Sequence, residues 1–332
     1  MDTPDAPSIW ALSDGRAGMR NQALGLAEAT ARLTGARVAE KRLAIRQPWD
    51  RLPTALWGDP FARLADGSDE VGPPWPDVLI ACGRRTVPFA LAMPDTVLTV
   101  QCQDPRTDPA RFGLVVPPAH DEVRGDNVFP IIGSPNRLTE ERLVEDAEAL
   151  AVHLPPLPRP LTAFLIGGDS KDHRMTPAAV TGIMDVAEAT AALGQGLLVT
   201  YSRRTPETAI AALTECFEAL PAWVWDGRDV PGLGNPYFGM LGLAERILVT
   251  NESANMLTEA GYTGRPVHAL PLQGGGAKWR RFHGALTEHG VLNPDAGLAD
   301  HWTYPPLRET ERAAEVVAAA MRERGVNFGV GS

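Results

Sequence analysis

Apolar residues come along this chain in short runs. Each run ends in a small or polar cluster and is followed by an amphipathic stretch. Ser8–Leu12, Asp77–Ala81, Thr96–Gln101, Leu161–Ile166, Gly196–Tyr201, Ala222–Trp225 and Arg246–Thr250 read as buried strands. Val38–Ile45, Phe112–Val116, Asn127–Ile132 and Pro266–Leu270 read as further strands. Between them lie helical patterns over Met19–Leu33, Val87–Ala92, Leu138–Leu154, Thr176–Leu193, Glu207–Leu220, Tyr237–Ala244 and Ala254–Tyr262, and a last one over Leu307–Arg324. In the first helix Leu24, Ala27 and Ala31 form an apolar stripe, and Gly35 stands where a C-terminal cap belongs. Thr139 is placed to open a capping box ahead of the third. Strands alternating with helices in both halves predict an α/β fold of two Rossmann-like domains with parallel sheets. Residues 46–76, rich in Pro, Trp, Gly and Asp, fit short helices or a long surface loop equally.

The run Pro155–Pro160 sustains neither helix nor sheet and reads as a semi-rigid spacer. It divides the chain into a first domain over 1–155 and a second over 161–306. The final helix, in 307–332, is then free to pack back on the first domain.

Composition narrows the function. At 332 residues with 44% hydrophobic content, the chain can build two cores. A net charge of −10 argues against a general nucleic-acid binder, although Arg pairs at 84–85, 203–204 and 280–281 leave room for local basic pockets. Cys82, Cys102 and Cys216 have no metal-like spacing and suit a reducing compartment. Cys82 reads as a small buried thiol more readily than as a reactive one. No apolar run is long enough to span a bilayer, and the acidic start MDTPDAPSIW resembles neither a signal peptide nor a presequence. The expectation is a cytoplasmic protein, or one peripheral to the inner membrane. Its wealth of Ala, Arg, Gly and Pro suggests a GC-rich bacterial genome.

Candidate chemistry gathers at strand ends, where open α/β sheets bind ligands. The strand Arg246–Thr250 runs into Asn251-Glu252-Ser253 and then a helix, whose free N–H groups suit phosphate. The same turn serves equally as a plain helix cap through Asn251 or Ser253. Glu259, further along that helix, is within reach of a sugar hydroxyl. The first strand ends in Ser13–Gly18, which is not the dinucleotide fingerprint GxGxxG. There Asp14 suits a general base and Arg16 an anion clamp; a structural turn with a solvated Arg fits as well. His120 lies in a strand-end loop and is the second base candidate, with Asp104 behind it. Arg203 can grip phosphate in a bidentate manner, or can be a solvated helix start. Lys278 and Arg281 are cations that could close over a ligand, or the exposed face of a helix. His173 reads as a loop residue, His268 as structural, and Trp223 and Trp225 as strand packing. Asp169, Asp172 and His173 match no metal motif.

Several strings together carry a resemblance. Trp10–Gly18 (WALSDGRAG), Asn21–Glu28 (NQALGLAE), Leu165–Gly168 (LIGG), Thr200–Pro206 (TYSRRTP), Val249–Met256 (VTNESANM) and Lys278–His283 (KWRRFH) resemble the family of the plant mitochondrial fission protein whose loss elongates mitochondria. The chain looks like a bacterial member. The plant member's association with the outer membrane and its recruitment of a dynamin-related protein do not carry straight over to such a chain.

The second half also resembles glycosyltransferases of the GT-B architecture, the peptidoglycan N-acetylglucosaminyltransferase among them. That resemblance implies two Rossmann-like domains facing a cleft, with the nucleotide-sugar on the second. It implies Gly167 and Gly168 near the donor phosphates, Ser253 at the turn and Glu259 on the ribose. It further implies that Gln273 and the glycines from Gly274 to Gly276 contact the donor sugar. Ser170, Ser202, Arg203, Glu252, Asn255 and Lys278 complete the expected donor-binding set, and Asp14, Arg16 and His120 the catalytic one. The expected chemistry is inverting sugar transfer without metal or resident cofactor, the nucleotide-sugar being substrate and the acceptor an unknown envelope lipid or glycan. A second class remains open: a non-catalytic interaction protein on the same fold, with a protein or peripheral membrane partner. A nucleotide-sugar epimerase is the third reading, against which the missing GxGxxG and Tyr-x-x-x-Lys count.

Overall fold

The computed structural model describes residues 6–328; the acidic residues 1–5 of the expected N-terminal reading lie outside them. In chain order the first elements are β1 (Ser8–Ser13), α1 (Ala17–Thr34), β2 (Arg37–Arg42), β3 (Val78–Cys82), α2 (Val87–Leu91), β4 (Leu98–Cys102) and β5 (Leu114–Val116). Next come α3 (Glu140–Ala151), β6 (Leu161–Ile166), β7 (His173–Arg174), α4 (Pro177–Ala192), β8 (Gly196–Tyr201), α5 (Glu207–Glu218) and β9 (Ala222–Trp225). The remainder are α6 (Tyr237–Leu243), β10 (Arg246–Thr250), α7 (Ala254–Tyr262), β11 (Val267–Leu270), β12 (Gln273–Gly274), α8 (Ala277–His289) and α9 (Glu309–Glu323). They form two compact units, Met1–Arg137 with Arg308–Ser332, and Leu138–Leu307.

Unit 1 holds a parallel sheet in the order β2-β1-β3-β4-β5. Successive side chains of a strand point to opposite faces, and both faces here are covered. Ile9, Ala11, Val78, Ile80 and Val100 pack on one side with Leu24 and Ala27 of α1 and with Ala313, Val317 and Met321 of α9. Trp10, Leu12, Leu79 and Ala81 pack on the other with Trp57 and Phe89. The closing helix is fastened by polar contacts as well. Glu309 accepts from Ile132 N at 2.7 Å, and Thr310 Oγ1 accepts from Asn136 N at 2.9 Å.

Unit 2 holds a second parallel sheet, β11-β10-β6-β8-β9. Phe164, Ile166, Leu197, Val199 and Leu248 pack against Val180, Ile183 and Ala187 of α4 and Leu213 and Phe217 of α5. Helices α3 and α6 pack together. A Cβ at Gly239 would lie 2.4 Å from Asp146 O, and one at Gly242 would lie 2.3 Å from Leu143 O, so only glycine permits this approach.

Four readings of the sequence change. The division falls after Arg137 and not in the Pro155–Pro160 run, because α3 packs on α6 of unit 2. Asn127–Ile132 is no strand; single bridges join Val128 to Val115 and Ile131 to Pro118, and Pro130 withholds a donor. Thr139 Oγ1 does accept from Arg142 N at 3.1 Å, but the residue at that third position is Arg, so the capping box lacks its acidic half. Lys278 and Arg281 belong to α8, the helix that the sequence reading holds open as one alternative for them but does not place in the run of elements.

Candidate functional site

In unit 2 the chain first builds β6, then β8 and β9 on one side, and only then β10 and β11 on the other. The strand order reverses between β6 and β10. Crossover helices leave on opposite faces at such a point, so the loops beyond the strand ends splay apart and leave a crevice. The loops after β8, β6, β10 and β11 are neighbours there, and they carry most of the sequence-predicted donor residues.

Glu252 is the centre of this cluster. Its side chain is fully buried, yet its Oε1 accepts from Gly168 N at 2.9 Å and from Arg204 Nη2 at 3.1 Å. Oε2 is buried and has no hydrogen-bond partner. Burial pushes the carboxyl above its usual range, and the Gly168 N–H and Arg204 oppose that shift. Gly167 N donates to Thr250 Oγ1 at 2.7 Å, and Gly167 O accepts from Thr205 Oγ1 at 2.6 Å. A Cβ on Gly167 would meet Glu252 Oε1 at 1.9 Å; one on Gly168 would meet Arg204 O at 2.1 Å. Both glycines are therefore demanded by the packing of three loops, whatever a ligand asks of them.

Two further loops close over this centre. His173 and Arg174 pair antiparallel with Gly274 and Gln273, and Gly275 N donates to Asp172 O at 2.8 Å. The His173 ring is 2% exposed, stands edge-on to Trp279 at 4.9 Å, and its Nδ1 has no partner. Burial lowers its pKa below the ordinary imidazole value and so disfavours the charged ring. Asn251 Oδ1 accepts from Leu272 N, and Asn251 O pairs with the ring of His283 at 2.8 Å.

The remaining donor-set residues have local roles. Ser170 Oγ accepts from Asp172 N and His173 N within its own turn. Ser202 Oγ accepts from Arg204 N. Ser253 caps α7 by accepting from Met256 N at 3.4 Å, the plain reading of that turn. Arg203 and Arg204 are both exposed, and it is Arg204 whose guanidinium reaches the buried Glu252. Asn255 is half-buried in the first turn of α7, and Lys278 half-buried in the first turn of α8. Gln273 and Gly274 are exposed on β12. Glu259 is buried on α7 and accepts from the Tyr237 phenol at 2.8 Å. Desolvation raises its pKa to about 7, with the phenol donor pulling the other way.

Sequence reasoning missed Arg204, His173 and Tyr237. Arg204 was within the quoted Arg pair, but nothing in the sequence says which of two adjacent arginines reaches Glu252. In sequence His173 reads as a loop residue and Tyr237 is not singled out; burial and their partners are what mark both.

Unit 1 repeats the reversal between β1 and β3. Asp14, just past β1, has a side chain 1% exposed. It takes Arg16 Nε on both oxygens at 3.1 and 2.8 Å, with Arg85 at 3.8 Å. Gly15 and Gly83 carry positive φ angles of 75° and 96° at the same two strand ends. Asp14 and Arg16 are thus brought together. His120 is not: it follows β5, three strands from β1, which is roughly 14 Å at the usual strand spacing. Among the described residues no group of three His, Cys, Asp or Glu is placed to hold a metal ion. No helix among them is long and apolar enough to cross a membrane.

Two parallel five-stranded sheets, each with helices on both faces and polar strand-end loops at a reversal of strand order, define a GT-B-like α/β protein. A Listeria monocytogenes protein described as a UDP-N-acetylglucosamine 2-epimerase shares this fold. It aligns over 99% of both chains with a TM-score of 0.55 at 8% identity. The S. aureus MnaA–UDP co-structure aligns over 98% of this chain and 93% of its own, with a TM-score of 0.51 at 9% identity. The chain belongs to the family described as Mitochondrial fission ELM1, which residues 17–321 match. The Mitochondrial fission protein ELM1 of Arabidopsis thaliana is 27% identical over 283 residues. That is 75% of this chain but 65% of the plant protein, so the match spans less than two thirds of the relative.

Proposed function

We propose that this chain binds a nucleotide-sugar at the carboxyl ends of β8, β6, β10 and β11 and transfers the sugar to an acceptor. The carrying observation is the cluster around Glu252, where two glycine-bounded loops, the start of α7 and Arg204 converge on one buried carboxylate. The UDP in the similarly folded MnaA structure supports a nucleoside diphosphate as the shared part of the donor.

In this reading the sugar's anomeric carbon loses its bond to the diphosphate oxygen and gains one to an acceptor hydroxyl. The electron pair leaves with the diphosphate, and the hydroxyl proton goes to a base. Charge grows on the leaving group, and fixed donors there are the largest catalytic contribution. Arg204, Arg203 and Lys278 supply cations, so the proposal needs no metal or resident cofactor. Arg204 exchanges Glu252 for phosphate, and burial, which raises the Glu252 pKa, makes that carboxyl easier to protonate once its cation has left. Glu259, when ionised, accepts from a ribose hydroxyl. Asp14 stays the candidate base and must first release Arg16.

Binding without turnover, in an interaction protein peripheral to a membrane, is the second reading. The Arabidopsis relative favours it, being named for mitochondrial fission and not for a reaction.

Calorimetry and thermal shift against UDP-, GDP-, ADP-, dTDP- and CMP-sugars without added metal test the donor. One micromolar binder is expected, weakened at least tenfold in Arg204→Ala and in Glu259→Gln while both variants stay folded. Silence from all five with folded protein overturns the donor reading and leaves the interaction protein. Binding without product, across an acceptor screen, selects the same second class with a nucleotide-sugar as ligand.

A further inference from the structure

Unit 1 carries a cavity of about 650 Å³ that none of the donor chemistry uses. It lies beyond the carboxyl ends of β3 and β4, against α2. Arg84, Arg106 and Arg111 line it together with Val87, Pro88 and Leu91. The other lining residues are Pro, Thr, Ala and Gly, so no carboxylate contributes to the wall. In a chain of net charge −10, three guanidiniums around one acid-free hollow make a local field of the opposite sign. Arg106 is paired with Asp104 at 2.9 Å. Arg84 and Arg111 are exposed and have no carboxylate partner among the described residues. A second observation concerns the rim. Leu56, next to the lining residues Thr54 and Ala55, is 62% exposed, the most exposed Leu side chain among the described residues.

We propose that this cavity binds an organic phosphate carrying an apolar chain. Planar guanidiniums match phosphate oxygens two at a time, and two unpaired ones suffice to neutralise a phosphate dianion. Val87, Pro88 and Leu91 supply the apolar wall for the first part of the chain, and Leu56 covers the part that leaves the cavity. The size falls in the range of small-molecule sites. A sugar or a neutral lipid would leave the guanidiniums uncompensated; inorganic phosphate would leave the apolar wall unused. The site does not rest on the nucleotide-sugar reading, because all of its residues lie in unit 1 and the donor residues lie in unit 2.

The test is calorimetry on the full chain with octyl phosphate below its micelle concentration, against inorganic phosphate, octanoate and octyl glucoside. Octyl phosphate is expected to bind at least tenfold tighter than each of the other three, and more weakly as salt rises. The double variant Arg84→Glu/Arg111→Glu should weaken it at least tenfold with an unchanged melting midpoint. Leu56→Ser, at an exposed position, should weaken octyl phosphate about threefold and leave inorganic phosphate unaffected. The proposal is overturned if the double variant binds octyl phosphate like the wild type, or if octyl glucoside binds as tightly. Equal affinity for inorganic phosphate overturns the apolar half, and equal affinity for octanoate overturns the choice of phosphate. Nucleotide-sugar titrations of the same variants keep the two readings separable: they should match the wild type whichever way this test falls.

Discussion

Glu252 and Glu259 show how much one carboxylate's surroundings decide. Glu252 stands in the turn after β10 and Glu259 further along the helix that follows, and both are buried. The sequence reads Glu252 as one of several donor ligands; the structure makes it the hub on which Gly167, Gly168 and Arg204 depend. What the letters cannot convey is that its carboxylate has one oxygen used twice and the other used by nothing. Arg204→Ala removes its cation, and leaving a buried carboxylate unpaired costs about 1–3 kcal/mol. The loss should appear in urea melts at pH 8 and shrink when Glu252→Gln is added, since the amide needs no counter-charge. Full additivity of the two changes would show that the pair does not interact. Glu259 gives a pH test. Its folded pKa, raised from 4.5 to about 7, means that the folded protein binds the proton more tightly than the unfolded chain. That stability is fully present below about pH 4.5 and is lost as pH rises through about 7. A shift of this size corresponds to about 3 kcal/mol. Glu259→Gln should therefore flatten the decline of stability between pH 5 and 8, leaving the variant more stable than the wild type at pH 8. An unchanged slope would mean that Glu259 is ionised throughout.

At the scale of elements, most of the order of strands and helices was legible. Parallel strands buried on both faces are continuous apolar runs, and Leu161–Ile166 and Gly196–Tyr201 coincide with β6 and β8 residue for residue. Legibility fails where burial is weak or local. β2 is a largely exposed edge strand, so its apolar pattern is faint and its end was set too late. Helix α8 opens with Lys278, Arg280 and Arg281, whose charges drew attention as candidate ligands and hid the Phe282 and Leu286 stripe behind them. The helix α9 is clear in sequence, and so is its freedom to pack back on the first domain; which of its residues are buried there is not. Met321 is fully buried in the core of unit 1 beside α1, far along the chain from its neighbours. Met321→Ala should destabilise by about 2–5 kcal/mol, as large-to-small changes do in well-packed cores. Melts of the full chain would measure it; a loss within the ±0.5 kcal/mol typical of surface sites would mean that α9 is not part of this core.

For the whole molecule, the conspicuous Pro155–Pro160 run drew the boundary to itself. Proline marks where regular structure stops, but a domain ends where packing stops. Gly239 and Gly242 let α6 lie against α3, and that contact holds residues 138–154 in unit 2. No local signal in 140–151 announces a partner almost a hundred residues away, so only the packed structure corrects the boundary. The two units also differ in how the chain makes them. Unit 2 is one continuous stretch, whereas unit 1 needs both 1–137 and 308–332. Expressed alone, residues 138–307 have every strand of their sheet and every helix of its two faces. They should fold cooperatively, with dispersed amide resonances and a single thermal transition. Residues 1–137 alone lack Ala313, Val317 and Met321, leave the part of the α1 side of the sheet over β4 and β5 uncovered, and should be molten or aggregated until a peptide of 308–332 is added. If the nucleotide-sugar reading holds, the 138–307 fragment also binds the donor within a few fold of the full chain, because all the residues around Glu252 are its own. A folded fragment with no affinity, beside a full chain that binds, would show that the donor site needs unit 1 as well.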